Sequence, residues 1–321
     1  MRRRKSRRAF LGLLGLGAAG LAGACREGTA GPREAGLAPG LANPTPTVPP
    51  PTSTSTPTPT PTPLPTATPT PRAAGLEVRA LLPGTEWETS AYIQSSGGSG
   101  PVLMVLGGVH GNEPAGWYAA DQIAGWTPEA GVLIVIPRAN VKAIDGFERL
   151  VENEGDLNRQ YPGDPDSDTA MSRMAAEITG LARELHVEVL LDLHESWAFY
   201  IDREAHGFES RSQAGTAYLG QTITSGHGPL ANGLATDIAG IVNESIPTER
   251  EQFIPRDRWS FGGGAATMSG RPRGRSSLSL GGHVPGLTPV LVETGQQGQA
   301  LERRTELQFA VVRATIDILG M

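Results

Sequence analysis

Two histidines and three carboxylates stand out as residues able to do chemistry, and each sits beside an apolar run. His110 and Glu113 lie three apart in Gly107-Gly108-Val109-His110-Gly111-Asn112-Glu113-Pro114. A borderline-soft cation can take a nitrogen from the histidine and an oxygen from the glutamate. The alternative for these eight residues alone is a polar turn whose histidine only caps its neighbour. His194 closes Val189-Leu190-Leu191-Asp192-Leu193-His194-Glu195, and Glu293 closes Pro289-Val290-Leu291-Val292-Glu293-Thr294-Gly295. Between them lies the polar run Asp156-Leu157-Asn158-Arg159-Gln160-Tyr161-Pro162-Gly163, with Arg149 ten residues before Arg159. Taken singly, His194 reads as a satisfied histidine ending a strand, Glu293 as a strand stop, and Asn158 with Arg159 as a surface turn.

The elements that must position these residues follow from the apolar patterning. Strands are expected near 76–82, 90–95, 102–106, 132–136, 187–193 and 288–292, and helices near 115–123, 171–185 and 300–319. Pro114 suits the first turn of a helix. Leu301, Leu307, Val311, Val312, Ile316 and Leu319 recur at roughly helical spacing and predict packing on a sheet face. Buried-strand runs alternating with helices imply an α/β domain with a mixed, largely parallel central sheet and helices on both faces. Ligands bind such sheets outside the carboxyl ends of the strands, where His110, His194 and Glu293 all fall. The stretch from Trp197 to Gly286 reads as irregular loops laid over the sheet edge, glycine-rich between Gly262 and Gly282.

Ahead of this domain the chain changes character. Arg2, Arg3, Arg4 and Lys5 precede Ser6-Arg7-Arg8-Ala9-Phe10-Leu11, which looks like a twin-arginine export signal, and an apolar run too short to span a membrane follows to Ala24. Ala22-Gly23-Ala24 suits ordinary signal cleavage, whereas Leu21-Ala22-Gly23-Ala24-Cys25 resembles a lipobox that would place lipid on the sole cysteine. With one cysteine there is no disulfide within the chain. From Pro44 to Pro71, 12 of 28 residues are proline and 11 threonine, so the segment builds no core and extends over about 85 Å as a semi-rigid tether. The expected division is a signal segment at 1–25, a disordered linker at 26–74 and a single α/β domain at 75–321. Loss of the signal's six positive charges moves the net charge from −6 to −12, which argues against a nucleic-acid partner.

Together the HGNE run at His110, the DLNR-Q-Y-PG run at Asp156, the DLH run at Asp192 and the VETG run at Glu293 resemble the zinc carboxypeptidase superfamily, in its succinylglutamate desuccinylase/aspartoacylase branch. They occur in the family's order and span nearly all of the globular part. The resemblance implies one zinc per chain on His110, Glu113 and His194, with Asp156 orienting the first histidine. It implies that Asn158 and Arg159 grip a substrate carboxylate, that Arg149 polarises the carbonyl and that Glu293 is the general base. The polarising arginine is expected slightly nearer the DLNR run than Arg149, a gap that a two-residue longer loop reconciles. Two histidines and one carboxylate leave zinc an open position, and arginine's planar fork matches a carboxylate. Arg271, Arg273 and Arg275 are further candidates for the substrate but read as a solvated loop, and His206, His227 and His283 receive no metal role.

The expected protein is thus an exported, lipid-anchored zinc hydrolase that cleaves an amide beside a free carboxylate. Its partner is a small molecule or short peptide, and its only membrane contact is the N-terminal lipid. The HGNE spelling favours deacylation of N-acyl amino acids; a cell-surface address favours a carboxypeptidase or cell-wall peptide amidase. A ligand-binding lipoprotein on a dead hydrolase fold would have lost the base or a ligand, and neither is missing. A serine hydrolase lacks its G-x-S-x-G elbow.

Overall fold

A computed structural model describes residues 72–203, 217–257 and 275–321. The signal, Cys25, the proline/threonine tether, Arg271 and Arg273 lie outside the described residues. Among those described, no helix is long and apolar enough to cross a membrane.

The chain opens with β1 (Gly75–Leu81) and β2 (Thr89–Ser95), paired antiparallel. Then come β3 (Val102–Leu106), α1 (Pro114–Ile123), β4 (Val132–Ile136), α2 (Val141–Gly146), α3 (Ala170–Glu184) and β5 (Val189–Ser196). Short strands β6 (Ala198–Phe199), β7 (Tyr218–Gly220), β8 (Thr222–Ser225) and β9 (Ile254–Arg256) follow, with α4 (Leu234–Asn243) between the last two. The chain closes with β10 (Thr288–Gly295) and α5 (Leu301–Leu319).

Eight strands form one mixed sheet in the order β1-β2-β4-β3-β5-β10-β8-β9, and β6 and β7 pair separately. The central strands β4, β3, β5 and β10 run parallel. Strand alternation sends side chains to opposite faces. On one face Met104, Leu106, Ile134 and Leu190 pack against Met171, Met174 and Ile178 of α3. On the other, Leu103, Val105, Leu191 and Val292 meet Ala120 and Ile123 of α1, Ile238 of α4 and Val311 of α5. The expected sheet, covered on both faces, is what the chain forms.

The stretch from Trp197 to Gly286 departs from the expected loops. Its described part supplies β8 and β9, which extend the main sheet, and α4, which covers one face. The helix has Leu234, Ala235, Ile238, Ala239 and Val242 at regular helical spacing, but glycines at 233 and 240 masked the pattern. β8 is missed because its Thr222-Ile223-Thr224-Ser225 run is mostly polar although fully buried.

The topology fixes where a ligand fits. From β3 the chain crosses through α1 to β4 on one side, then through α3 to β5 on the other. That reversal opens a crevice at the carboxyl ends of β3 and β5.

Candidate metal centre

The turn after β3 brings the first cluster into that crevice. Gly108 adopts φ +68, a left-handed conformation natural to glycine. Gly111 lies against α2 so closely that a Cβ there would sit 1.9 Å from the Ala143 carbonyl oxygen. These two glycines let the chain curl between β3 and α1 while Pro114 starts the helix, so that His110 and Glu113 point the same way.

His110, Glu113 and His194 converge, their ligand atoms all within 4.8 Å of one another. Glu113 sits between the rings: His110 Nδ1 lies 2.7 Å from its Oε1, and His194 Nδ1 lies 2.7 Å from its Oε2. The far nitrogens face other carboxylates. His110 Nε2 is 3.1 Å from Asp156 Oδ1, and His194 Nε2 is 3.0 Å from Asp192 Oδ2. The His194 contact is out of line for a hydrogen bond, so both Asp192 oxygens are buried without a hydrogen-bond partner among the described residues. The Asp156 hydrogen bond behind His110 and the Asp192 charge behind His194 both favour a proton on Nε2, which leaves each Nδ1 free to ligate. Glu293 is the Cα partner of His194 across the parallel β5–β10 pair and lines the same cleft.

The electrostatics point to a cation. Burial works against a charged His194, yet the charges of Asp192 and Glu113 overcome it and hold the imidazolium well above the usual histidine range. His110 is raised likewise, burial being outweighed by Glu113 and Asp156. Burial alone would raise Glu113 and Asp156; their histidine partners, with Arg149 at Asp156, hold both well below the usual carboxylate range. Glu293 has no such help: burial pushes it up to about 7, with His194 opposing. Four carboxylates thus crowd two imidazoles, and a dication in place of two ring protons would keep the same positive charge among them. The donor set fits a metal ion.

The cleft, about 250 Å³ in all, is lined beyond these residues by Arg149, Asn158, Arg159, Arg275 and Ser276 among others. Asp156 caps the 3-10 turn Leu157–Arg159, its Oδ1 accepting the Asn158 N–H at 2.9 Å. Asn158 is fixed in turn: its Oδ1 accepts the Ser277 N–H at 2.9 Å and its Nδ2 is 3.4 Å from His194 Nε2. Arg149 bridges the cluster, donating to Glu113 Oε1 at 3.3 Å and Asp156 Oδ2 at 3.1 Å. Arg159 is exposed at the cleft and donates one Nη1 bond to the Asn158 carbonyl.

All eight globular candidates named from sequence therefore meet in one place. Arg275 is exposed in a loop, as expected, and also borders the cleft, its carbonyl accepting the Tyr161 N–H at 2.9 Å. Asp192 was part of a recognised run but had no role; its position two before His194 on a strand puts both on one face, a readable signal. Glu195 and Arg304, described below, carried none that the motifs disclosed.

Comparison with known proteins agrees with this geometry. Residues 99–198 match the succinylglutamate desuccinylase/aspartoacylase catalytic domain. An N-alpha-acetyl-L-2,4-diaminobutyric acid deacetylase of Halomonas elongata is 32% identical over 101 residues, 30% of this chain and 29% of that protein. Among solved structures, tripeptide-bound cell shape determinant Csd4 from Helicobacter pylori has TM-score 0.55 at 16% identity, over 77% of this chain and 56% of that one. The mDAP-bound form of Csd4, a D,L-carboxypeptidase, has TM-score 0.53 at 16% identity, over 69% and 51%. The chain spans under a third of the deacetylase and about half of Csd4. Residues 99–198 are thus similar to the succinylglutamate desuccinylase/aspartoacylase catalytic domain, and the fold is shared with Csd4.

Proposed function

We propose that this protein is a zinc-dependent amide hydrolase acting beside a free carboxylate, and that it removes the acyl group from N-acyl amino acids. The observation that supports this most is the paired arrangement at His110 and His194, each with Nδ1 on Glu113 and Nε2 on a second carboxylate, with Glu293 in the same cleft. Bound at His110, Glu113 and His194, zinc supplies Lewis acidity toward a carbonyl oxygen and toward water. Arg159 takes the substrate carboxylate with its planar fork, and Asn158, held by Ser277, sets its orientation. Arg149 faces the negative charge that develops on the carbonyl oxygen. Glu293 accepts a proton from the attacking water and returns it to the leaving nitrogen, so the amide is cleaved with no net change in the side chain.

A second reading, removal of a terminal residue from a cell-wall peptide, is supported by the export-like leader, since N-acyl amino acids are mostly cytoplasmic. Turnover of the purified chain on N-acyl amino acids and on short cell-wall peptides, with and without chelator, separates the two. Faster chelator-sensitive release from acyl amino acids is expected; release from peptides alone transfers the function to the second reading. No chelator-sensitive turnover of either class sinks both.

The leader carries its own proposal. With Cys25 lipidated the protein partitions with membranes, held by more than one acyl chain. Cys25→Ser is expected to release it into the soluble fraction or block its maturation. A soluble wild-type protein with a free Cys25 thiol would show ordinary signal cleavage instead.

A further inference from the structure

Glu195, the residue after the second histidine, has its side chain on the opposite face of β5 from His194, yet it is tied to the ligand cluster at several points. Its N–H donates to Glu113 Oε2 at 2.9 Å. Its Oε2 accepts the N–H of Ala115, two residues past Glu113, at 2.8 Å. Its Oε1 accepts a hydrogen bond from Arg304 of α5. One turn further along α5, Gln308 Nε2 donates to the His194 carbonyl at 2.9 Å and to Thr294 Oγ1 at 3.2 Å. Arg304 and Gln308 therefore reach from one helix face to the backbone that carries His194 and to the residue beside Glu293.

Stability alone does not account for this network. A buried ion pair contributes little compared with apolar side chains of equal volume. Arg304 Nε and Gln308 Oε1 are also buried without partners among the described residues, which adds a desolvation cost. What the network does achieve is to hold Glu113 from both ends, at its carboxylate and at the backbone just after it. Only with Glu113 so fixed does each oxygen meet one imidazole.

We propose that Glu195, braced by Arg304 and acting beside Gln308 on the His194 carbonyl, is a positioning residue that sets the placement of Glu113 and His194, so that α5 governs metal affinity without touching the metal. The proposal rests on His110, Glu113 and His194 being the metal site. Its test is zinc affinity of the full chain by chelator competition, measured beside thermal melting of the metal-free protein. Glu195→Met combined with Arg304→Met replaces the ion pair by apolar side chains of similar length. The apolar pair offsets the lost ion pair but leaves the Ala115 N–H without its acceptor, so a folded metal-free variant melting near or modestly below wild type is expected, with zinc affinity lower by about 10–100-fold. Glu195→Gln, which retains an acceptor for the Ala115 N–H, is expected to recover most of that affinity. Wild-type zinc affinity in the folded double variant overturns the proposal. Should that variant not fold, Arg304→Gln carries the test: weaker zinc binding supports the proposal and unchanged binding overturns it. A wild-type chain that binds no zinc overturns the metal-site reading and this proposal together, an outcome distinct from equal binding by wild type and variants.

Discussion

Glu293→Gln is expected to give a folded protein with normal zinc content, nearly unchanged substrate affinity and kcat lower by about 10²–10⁴. Glutamine keeps the shape and the hydrogen-bonding capacity of the side chain but cannot accept a proton. The substitution is mild for the fold because Glu293 is buried at 7% exposure, its carboxylate makes no ion pair or hydrogen bond among the described residues, and burial already disfavours its charge. A neutral amide therefore relieves an electrostatic cost while removing the base. Steady-state kinetics with parallel elemental analysis give the answer. Near-normal turnover would move the base elsewhere, and loss of zinc would make Glu293 a ligand.

The second large effect concerns the histidines. Wild-type protein is expected to carry one zinc per chain, and both His110→Ala and His194→Ala to lose it. Their stabilities should nonetheless differ. Without His110, Asp156 keeps Arg149 and the Asn158 N–H as partners. Without His194, Asp192 remains a fully buried carboxylate with no partner, at a cost of several kcal/mol unless it protonates. Thermal melting of the two metal-free variants should place His194→Ala well below His110→Ala. Equal melting would show that Asp192 is not held by its histidine, and a wild-type protein lacking any transition metal would end the zinc reading.

The legible parts of this protein were those where local pattern and global fold agree. β3 and β4 stand within the residues expected, because fully apolar runs such as Val102–Leu106 fit only a strand covered on both faces. His110, Glu113, Asp156, Asn158, Arg159, His194 and Glu293 were legible because chemistry concentrates them in short runs at strand ends. Arg304 and Gln308 were not, since they sit alone on a helix and act through residues more than a hundred positions distant, or, for Thr294, across to another strand. Their one trace is that two polar residues occupy a stripe otherwise filled by Leu301, Val311 and Val312. β8 and β9 lacked a trace because backbone pairing, not hydrophobicity, places them in the sheet.

The wall of the cleft that holds Asn158 is built from two distant pieces of chain, joined by the Asn158–Ser277 and Tyr161–Arg275 hydrogen bonds. On the upstream side, Arg256 is fixed by the pairing of β9 with β8. Asn158 itself is held by contacts between segments more than a hundred residues apart, so its place in the cleft is set by how the chain closes on itself rather than by its own neighbours. A change of length in either segment would be felt at Asn158 before it reached His110, Glu113 or His194.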